Sequence, residues 1–213
     1  MYLIFVTETK GLPKTHTAPI SHSDNWPRMV QIAWQLHAQD GTLLENQDYI
    51  IKPEGFDIPF NASRIHGIST KMANEEGRNL QEVLEEFKEV LKKAEVVAGH
   101  NIDFDYKIVG AEFFRKEIEN SLEKIPSADT MELGTNYCQL GGGRNGRFKS
   151  PKLTELYEIL YDEKFDEAHN AAADVNATAQ VFFEMMRIGI IPAEKLKISE
   201  AELKDFIAQH STP

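Results

Sequence analysis

The sequence is poor in cysteine, short of positive charge and without a long apolar run, and each shortage removes a class of protein. Cys138 is the single cysteine in 213 residues. That excludes a disulfide framework and a cysteine-rich zinc site, and it points to a reducing compartment. Lysine and arginine number 23 against 34 aspartates and glutamates, for a net charge of -11. A surface of this sign repels phosphate backbones and argues against a protein that wraps duplex nucleic acid. It still permits a small site at which bound divalent cations reverse an acidic patch locally. The apolar run Tyr2 to Val6 is too short for a membrane span or a signal-peptide core, and no basic region precedes it. We read it as a strand of a soluble, cytoplasmic protein with no membrane partner.

The length supplies one full core and is short for two. We therefore expect one domain over 1–190 and a tail or linker over 191–213 that carries a short helix. Tyr2 to Val6 is continuously apolar and β-favouring, the pattern of a strand covered on both faces. The polar stretch Lys14 to Arg28 reads as an exposed loop. Met29 to His37 and Asp48 to Ile51 read as strands, with a turn around Asp40-Gly41, which suggests an antiparallel meander. Leu80, Val83, Leu84, Phe87, Val90 and Leu91 recur at helical spacing. Glu95 to Ala98 is a short strand, and helical periodicity returns over Tyr106 to Phe114. Ser150-Pro151 predicts a helix start, a further helix covers about Ala171 to Arg187, and Ser199-x-x-Glu202 is a capping box for a terminal helix. Strands followed by alternating helices and short strands predict an α/β layer structure with a mixed sheet.

Acidic or imidazole side chains meet the predicted element ends at four places: Val6-Thr-Glu8, His100 to Asp105, Asp129, and His169 to Asp174. Carboxylates are hard oxygen ligands suited to magnesium or manganese. A nearby histidine, with an ordinary pKa of about 6.5, suits a general base. Five residues on a regular helix rotate by about 140°, so His169 and Asp174 cannot share a helical face, and His169 is expected just before the helix. Asp103 reads as a solvated extra acid, His100 is evenly balanced between a loop residue and a site residue, and Cys138 reads as packing.

The segments "FVTETKGLP", "HNIDFD" and "HNAAAD" resemble, in order and context, the three motifs of DEDDh 3′→5′ exonucleases, the proofreading and ribonuclease T-like group, over roughly residues 1 to 187. Ile65-His-Gly-Ile68 resembles that family's "HGI" element, and Asp129-Thr130 sits where the family keeps Asp-Thr. The resemblance implies a ribonuclease H-like mixed β-sheet flanked by α-helices. It implies a two-metal phosphodiester hydrolysis with Mg2+ or Mn2+, the ions about 3.5 to 4 Å apart. Glu8, Asp105 and Asp174 are then the metal ligands and His169 the general base. Thr9, Leu12, His66, Asn101 and Phe104 would meet the terminal nucleotide.

One motif position departs from that pattern. Val6 stands where the family's first aspartate, shared by both ions, would be. Residues 6 and 8 of a strand share a face, so valine keeps the strand but removes a ligand, and very low turnover is expected. The stretch Arg144 to Lys152 gathers basic residues around Phe148 after Gly141-Gly-Gly143, which suits a guide for a nucleic-acid strand. The implied partners are a single-stranded DNA 3′ end, or RNA, and a DNA polymerase subunit or fused polymerase.

Overall fold

The computed structural model describes residues 1–164 and 171–210. Strands β1 (Tyr2–Thr9), β2 (Met29–His37), β3 (Leu43–Ile50), β4 (Val96–Gly99) and β5 (Ser127–Asp129) form a single sheet in the order β3-β2-β1-β4-β5. β1, β2 and β3 pair antiparallel, with Phe5 opposite Trp34 and Glu8 opposite Gln31. β4 and β5 join β1 in parallel. The sheet therefore changes from antiparallel to parallel at β1.

Helices α1 (Phe60–His66), α2 (Thr70–Glu76) and α3 (Leu80–Leu91) follow the hairpin. After β4 comes α4 (Ile102–Arg115), and after β5 come α5 (Thr130–Cys138), α6 (Leu153–Tyr161), α7 (Ala171–Arg187), α8 (Ala193–Leu196) and α9 (Glu200–His210).

Strand alternation decides which face each β1 residue serves. Leu3 and Phe5 enter one core with Leu84 and Phe87 of α3 and Val109 and Phe113 of α4. Tyr2 and Ile4 enter a second core with Val175, Phe182 and Met185 of α7. Phe5 meets Phe87 edge-on at 5.2 Å, and Tyr2 meets Phe182 edge-on at 5.4 Å. Each such burial contributes roughly 1.5–3 kcal/mol. Carried two residues further, the same parity turns Thr7 toward α4, and Val6 and Glu8 toward α7.

Several elements differ from the expectation. β3 starts at Leu43 rather than Asp48, and α4 starts at Ile102 rather than Tyr106. β5, α1, α2 and α5 were not predicted. α6 begins at Leu153 with Lys152 before it, not with a Ser150 cap. There the Glu155 carboxylate accepts the Lys152 N–H at 2.8 Å, while the Pro151 carbonyl is taken by His100. Within 10–28 the chain is fastened rather than open. Trp26 and Ala18 are buried, Asn25 bonds both the N–H and the carbonyl of Thr15, and the indole N–H of Trp26 donates to the Pro19 carbonyl. The segment expected as a tail packs onto the domain. Ile191, Leu196, Leu203 and Phe206 lie in the second core, and the Ser199–Glu202 capping box closes α9.

Candidate active site

The C-terminal ends of β1, β4 and β5 point the same way, and β1 sits where the sheet changes sense. In open α/β sheets, ligands are bound outside the carboxyl ends of the strands at such a switch. Three acids arrive there from three elements: Glu8 near the end of β1, Asp105 in the first turn of α4 and Asp174 in the first turn of α7.

Asp105 is 6% exposed. One of its oxygens accepts both the backbone N–H and the hydroxyl of Thr7, each at 2.7 Å. Burial pushes its carboxyl up to about 7, against the opposing pull of those two bonds. Glu8 is half-buried. Burial first, then the charges of Asp174 and Asp105, push its carboxyl up to about 7 as well. Glu8 thus feels the charges of both other acids, a concentration of negative charge that a cation would relieve. Val6 is half-buried on the same face and packs against the α7 core, so the position that would bring one more oxygen brings two methyl groups.

Asp129 and its neighbours fix the loop that aims Asp105. Asp129 caps α5 by accepting the N–H groups of Met131 and Glu132, and it also accepts the Asn101 N–H at 2.9 Å. Asn101 itself is left-handed, with φ 63 and ψ 44, a conformation asparagine tolerates, and it starts α4. His100 joins this loop to two others: its Nε2–H donates to the Pro151 carbonyl at 3.0 Å and its Nδ1 lies 3.0 Å from the Thr130 hydroxyl. Burial holds His100 below the usual histidine range. His100 is in these contacts a brace for the site's edge.

Of the residues expected at the nucleotide, Thr9 ends β1 and donates its hydroxyl to the Gly11 carbonyl at 2.6 Å. Leu12 is 82% exposed beyond it. His66 is buried, with Nδ1 accepting the Ile68 N–H at 3.1 Å. Burial lowers its pKa while the Thr9 backbone opposes that shift, which sets His66 beside the end of β1. Phe104 is half-buried against the first core, and Asn101 is exposed. Asp103 is exposed and paired with Lys107 at 2.6 Å. His169 lies outside the described residues. Thr7 was missed by the sequence analysis: lying between the two motif positions, it faces the opposite way and meets Asp105 only once α4 packs.

A family model described as exonuclease, of the ribonuclease T kind, matches residues 27–182. The chain belongs to the ribonuclease T exonuclease family. The matched region begins after β1, so Val6 to Glu8 fall outside it. This exonuclease-family chain is 27% identical over 186 residues, 86% of its length, to the PolC-type DNA polymerase III of Latilactobacillus sakei. It is 25% identical over 148 residues, 66% of its length, to the DNA polymerase III subunit epsilon of Rickettsia felis. It spans 11% of the first relative and 58% of the second. Its fold is shared with E. coli Exonuclease I, solved in complex with a dA16 oligonucleotide, at a TM-score of 0.67 and 18% identity, over 98% of this chain and 43% of that one. A zinc-bound form of an Exonuclease I–ssDNA complex superposes at 0.68 and 19% identity, over 98% and 43%. The architecture is the ribonuclease H-like α/β fold.

Divalent ions are the family's usual cofactors. The donors here are of the right kind, since Glu8, Asp105 and Asp174 are all hard oxygen ligands. They do not form a complete cage: among the described residues no three His, Cys, Asp or Glu side chains are grouped closely enough to hold an ion. No helix among the described residues is long and apolar enough to cross a membrane.

Proposed function

We propose that this chain is a 3′→5′ exonuclease domain that removes nucleotides from DNA 3′ ends, acting as a proofreading subunit or module of a DNA polymerase, and that Val6 weakens its turnover. The observation that carries the proposal is the convergence of Glu8, Asp105 and Asp174 at the switch point of the sheet, where the charges of Asp174 and Asp105 act on Glu8. DNA is favoured over RNA by the two DNA polymerase III relatives. The single cysteine fits a cytoplasmic location.

Glu8, Asp105 and Asp174 would hold magnesium or manganese; such ions, when bound, polarise the phosphoryl oxygen and acidify a bound water. The chain's own residues do the rest. Thr7 fixes one oxygen of Asp105. His169 accepts the proton of the attacking water. Thr9, Leu12, His66, Asn101 and Phe104 receive the terminal nucleotide, with Leu12 and Phe104 offering apolar surface to the base. Position 6 supplies no oxygen, so the site would hold its ions with one ligand fewer, and loss of even an outer partner of a metal ligand costs about 10–100-fold.

Release of label from 3′-labelled and 5′-labelled single strands, DNA and RNA, in magnesium or manganese tests this. Slow mononucleotide release from the DNA 3′ end is expected. Faster release from RNA would make the chain an exoribonuclease. Tight binding with no release, even in excess metal, would make it a binding module, the alternative that Val6 itself favours.

A further inference from the structure

We propose that the fastened segment 10–28 is a phosphate-binding arm, with Lys10 and Lys14 gripping the backbone of a single nucleic-acid strand upstream of its 3′ end. The inference rests on the nuclease reading above and extends it to a second contact region.

Lys10 follows directly on the end of β1, two residues after Glu8, and its N–H donates to the Arg28 carbonyl. Lys10, Lys14, Arg28 and Arg115 line one cleft, in which Asp24 is the only acidic residue among the described residues. In a chain of net charge -11 this is a local reversal of sign, in a cleft that begins directly after the end of β1. The two arginines are committed: Arg28 bonds Glu112 at 2.9 Å and Glu54 at 3.1 Å, and Arg115 pairs with Glu112 at 3.0 Å. The two lysines are not, since neither makes an ion pair with a described residue, and Lys10 lies 5.3 Å over the Phe56 ring. Lys14 is exposed.

The arm is anchored well enough to hold these charges in place. Arg115 donates to the Ser23 and Trp26 carbonyls, and the Lys14 N–H donates to the Asn25 carbonyl at 3.2 Å. Glu112 lies seven residues along α4 from Asp105, about 10 Å at 1.5 Å per residue. The cleft therefore opens a short reach away from the acids, where phosphates on the 5′ side of a strand ending at Glu8 would pass. Ammonium groups act there as point charges that need no bidentate geometry, which suits a strand that must slide as its end is shortened.

The test is fluorescence anisotropy on the whole chain in calcium, with a thymidine dinucleotide and a decanucleotide. The parent is compared with K10E/K14E and with K10R/K14R. In the glutamate variant the decanucleotide should bind about ten-fold more weakly, and the salt slope should fall by about 1.4, at about 0.7 per phosphate contact on a single strand. The dinucleotide should be unaffected, and the arginine variant should behave as the parent. Unchanged decanucleotide affinity and slope in K10E/K14E would overturn the arm while leaving the nuclease reading intact. Displacement of the decanucleotide from the parent by millimolar inorganic phosphate would overturn it in favour of a free-anion site. No binding of any oligonucleotide by the parent would overturn the arm and the nuclease reading together.

Discussion

Removing the Glu112 carboxylate should loosen the whole active-site edge. Its side chain is 1% exposed and takes three donations, Arg28 Nε to its two oxygens at 2.9 and 3.2 Å and the Met29 N–H at 2.9 Å, and it pairs with the Arg115 charge at 3.0 Å. Arg28 and Arg115 are 20% and 16% exposed, so Glu112→Ala leaves two largely buried cations without their shared counter-charge and orphans the N–H that begins β2. Breaking a buried pair on one side costs about 3–5 kcal/mol. At roughly 2–4 °C per kcal/mol for a chain of this size, the melting temperature should fall by about 6–20 °C. Glu112→Gln keeps the shape and one acceptor oxygen but loses the charge, and should cost about 1–3 kcal/mol. Urea unfolding of the parent and both variants, with midpoint and slope fitted, measures this. If both variants unfold within about 0.5 kcal/mol of the parent, the network behaves like a solvated surface pair and its anchoring role is wrong.

Other outcomes follow from the site itself. The Glu8 carboxyl is raised from 4.5 to about 7, so its contribution to stability is complete below its unfolded value and is lost as pH rises through about 7. Glu8→Gln should therefore match the parent near pH 4 and exceed it by about 1–3 kcal/mol at pH 8, the upper end discounted for partial exposure; equal stability at both values in urea titrations would contradict the coupling. Magnesium or manganese should raise the parent's melting temperature at pH 8 and do so less for Glu8→Gln, read by differential scanning fluorimetry. His100→Ala removes the bridge between Thr130 and Pro151 and should cost about 1–3 kcal/mol, an effect that calorimetry would miss only if the brace carries no load.

Much of the fold was legible because its signals are local. β1 announces itself as an unbroken apolar run, α3 by six apolar residues at helical spacing, and α9 by a capping box that forms as written. The missing elements depend on packing. α1 and α2 carry few apolar residues, and their caps, Ser69 accepting the Met72 N–H and Gly67 in the left-handed region, are visible only in retrospect. α5 contains Gly134, where a Cβ would lie 3.1 Å from Leu156; a residue that weakens a helix in isolation is there to let α6 approach. β5 is three residues long and exists through its pairing with β4.

At the site, Glu8, Asp105 and Asp174 were named through the resemblance of their motifs, and the structure puts each near an element end. Thr7 could not be named, because its partner is 98 positions away in sequence. The basic arm was hidden for a related reason: a polar stretch with few apolar residues looks like an open loop until Trp26, Asn25 and Arg115 tie it down.

The proposed function requires three acids to form a nuclease site short of one oxygen at position 6. The most direct measurement is nucleotide release from 3′-labelled single-stranded DNA in manganese by the parent, Val6→Asp, and Val6→Asp combined with Glu8→Gln. Val6→Asp should gain at least about 10–100-fold over the parent, and the added Glu8→Gln should abolish that gain. Equal rates for parent and Val6→Asp, or a gain that survives loss of Glu8, would contradict it.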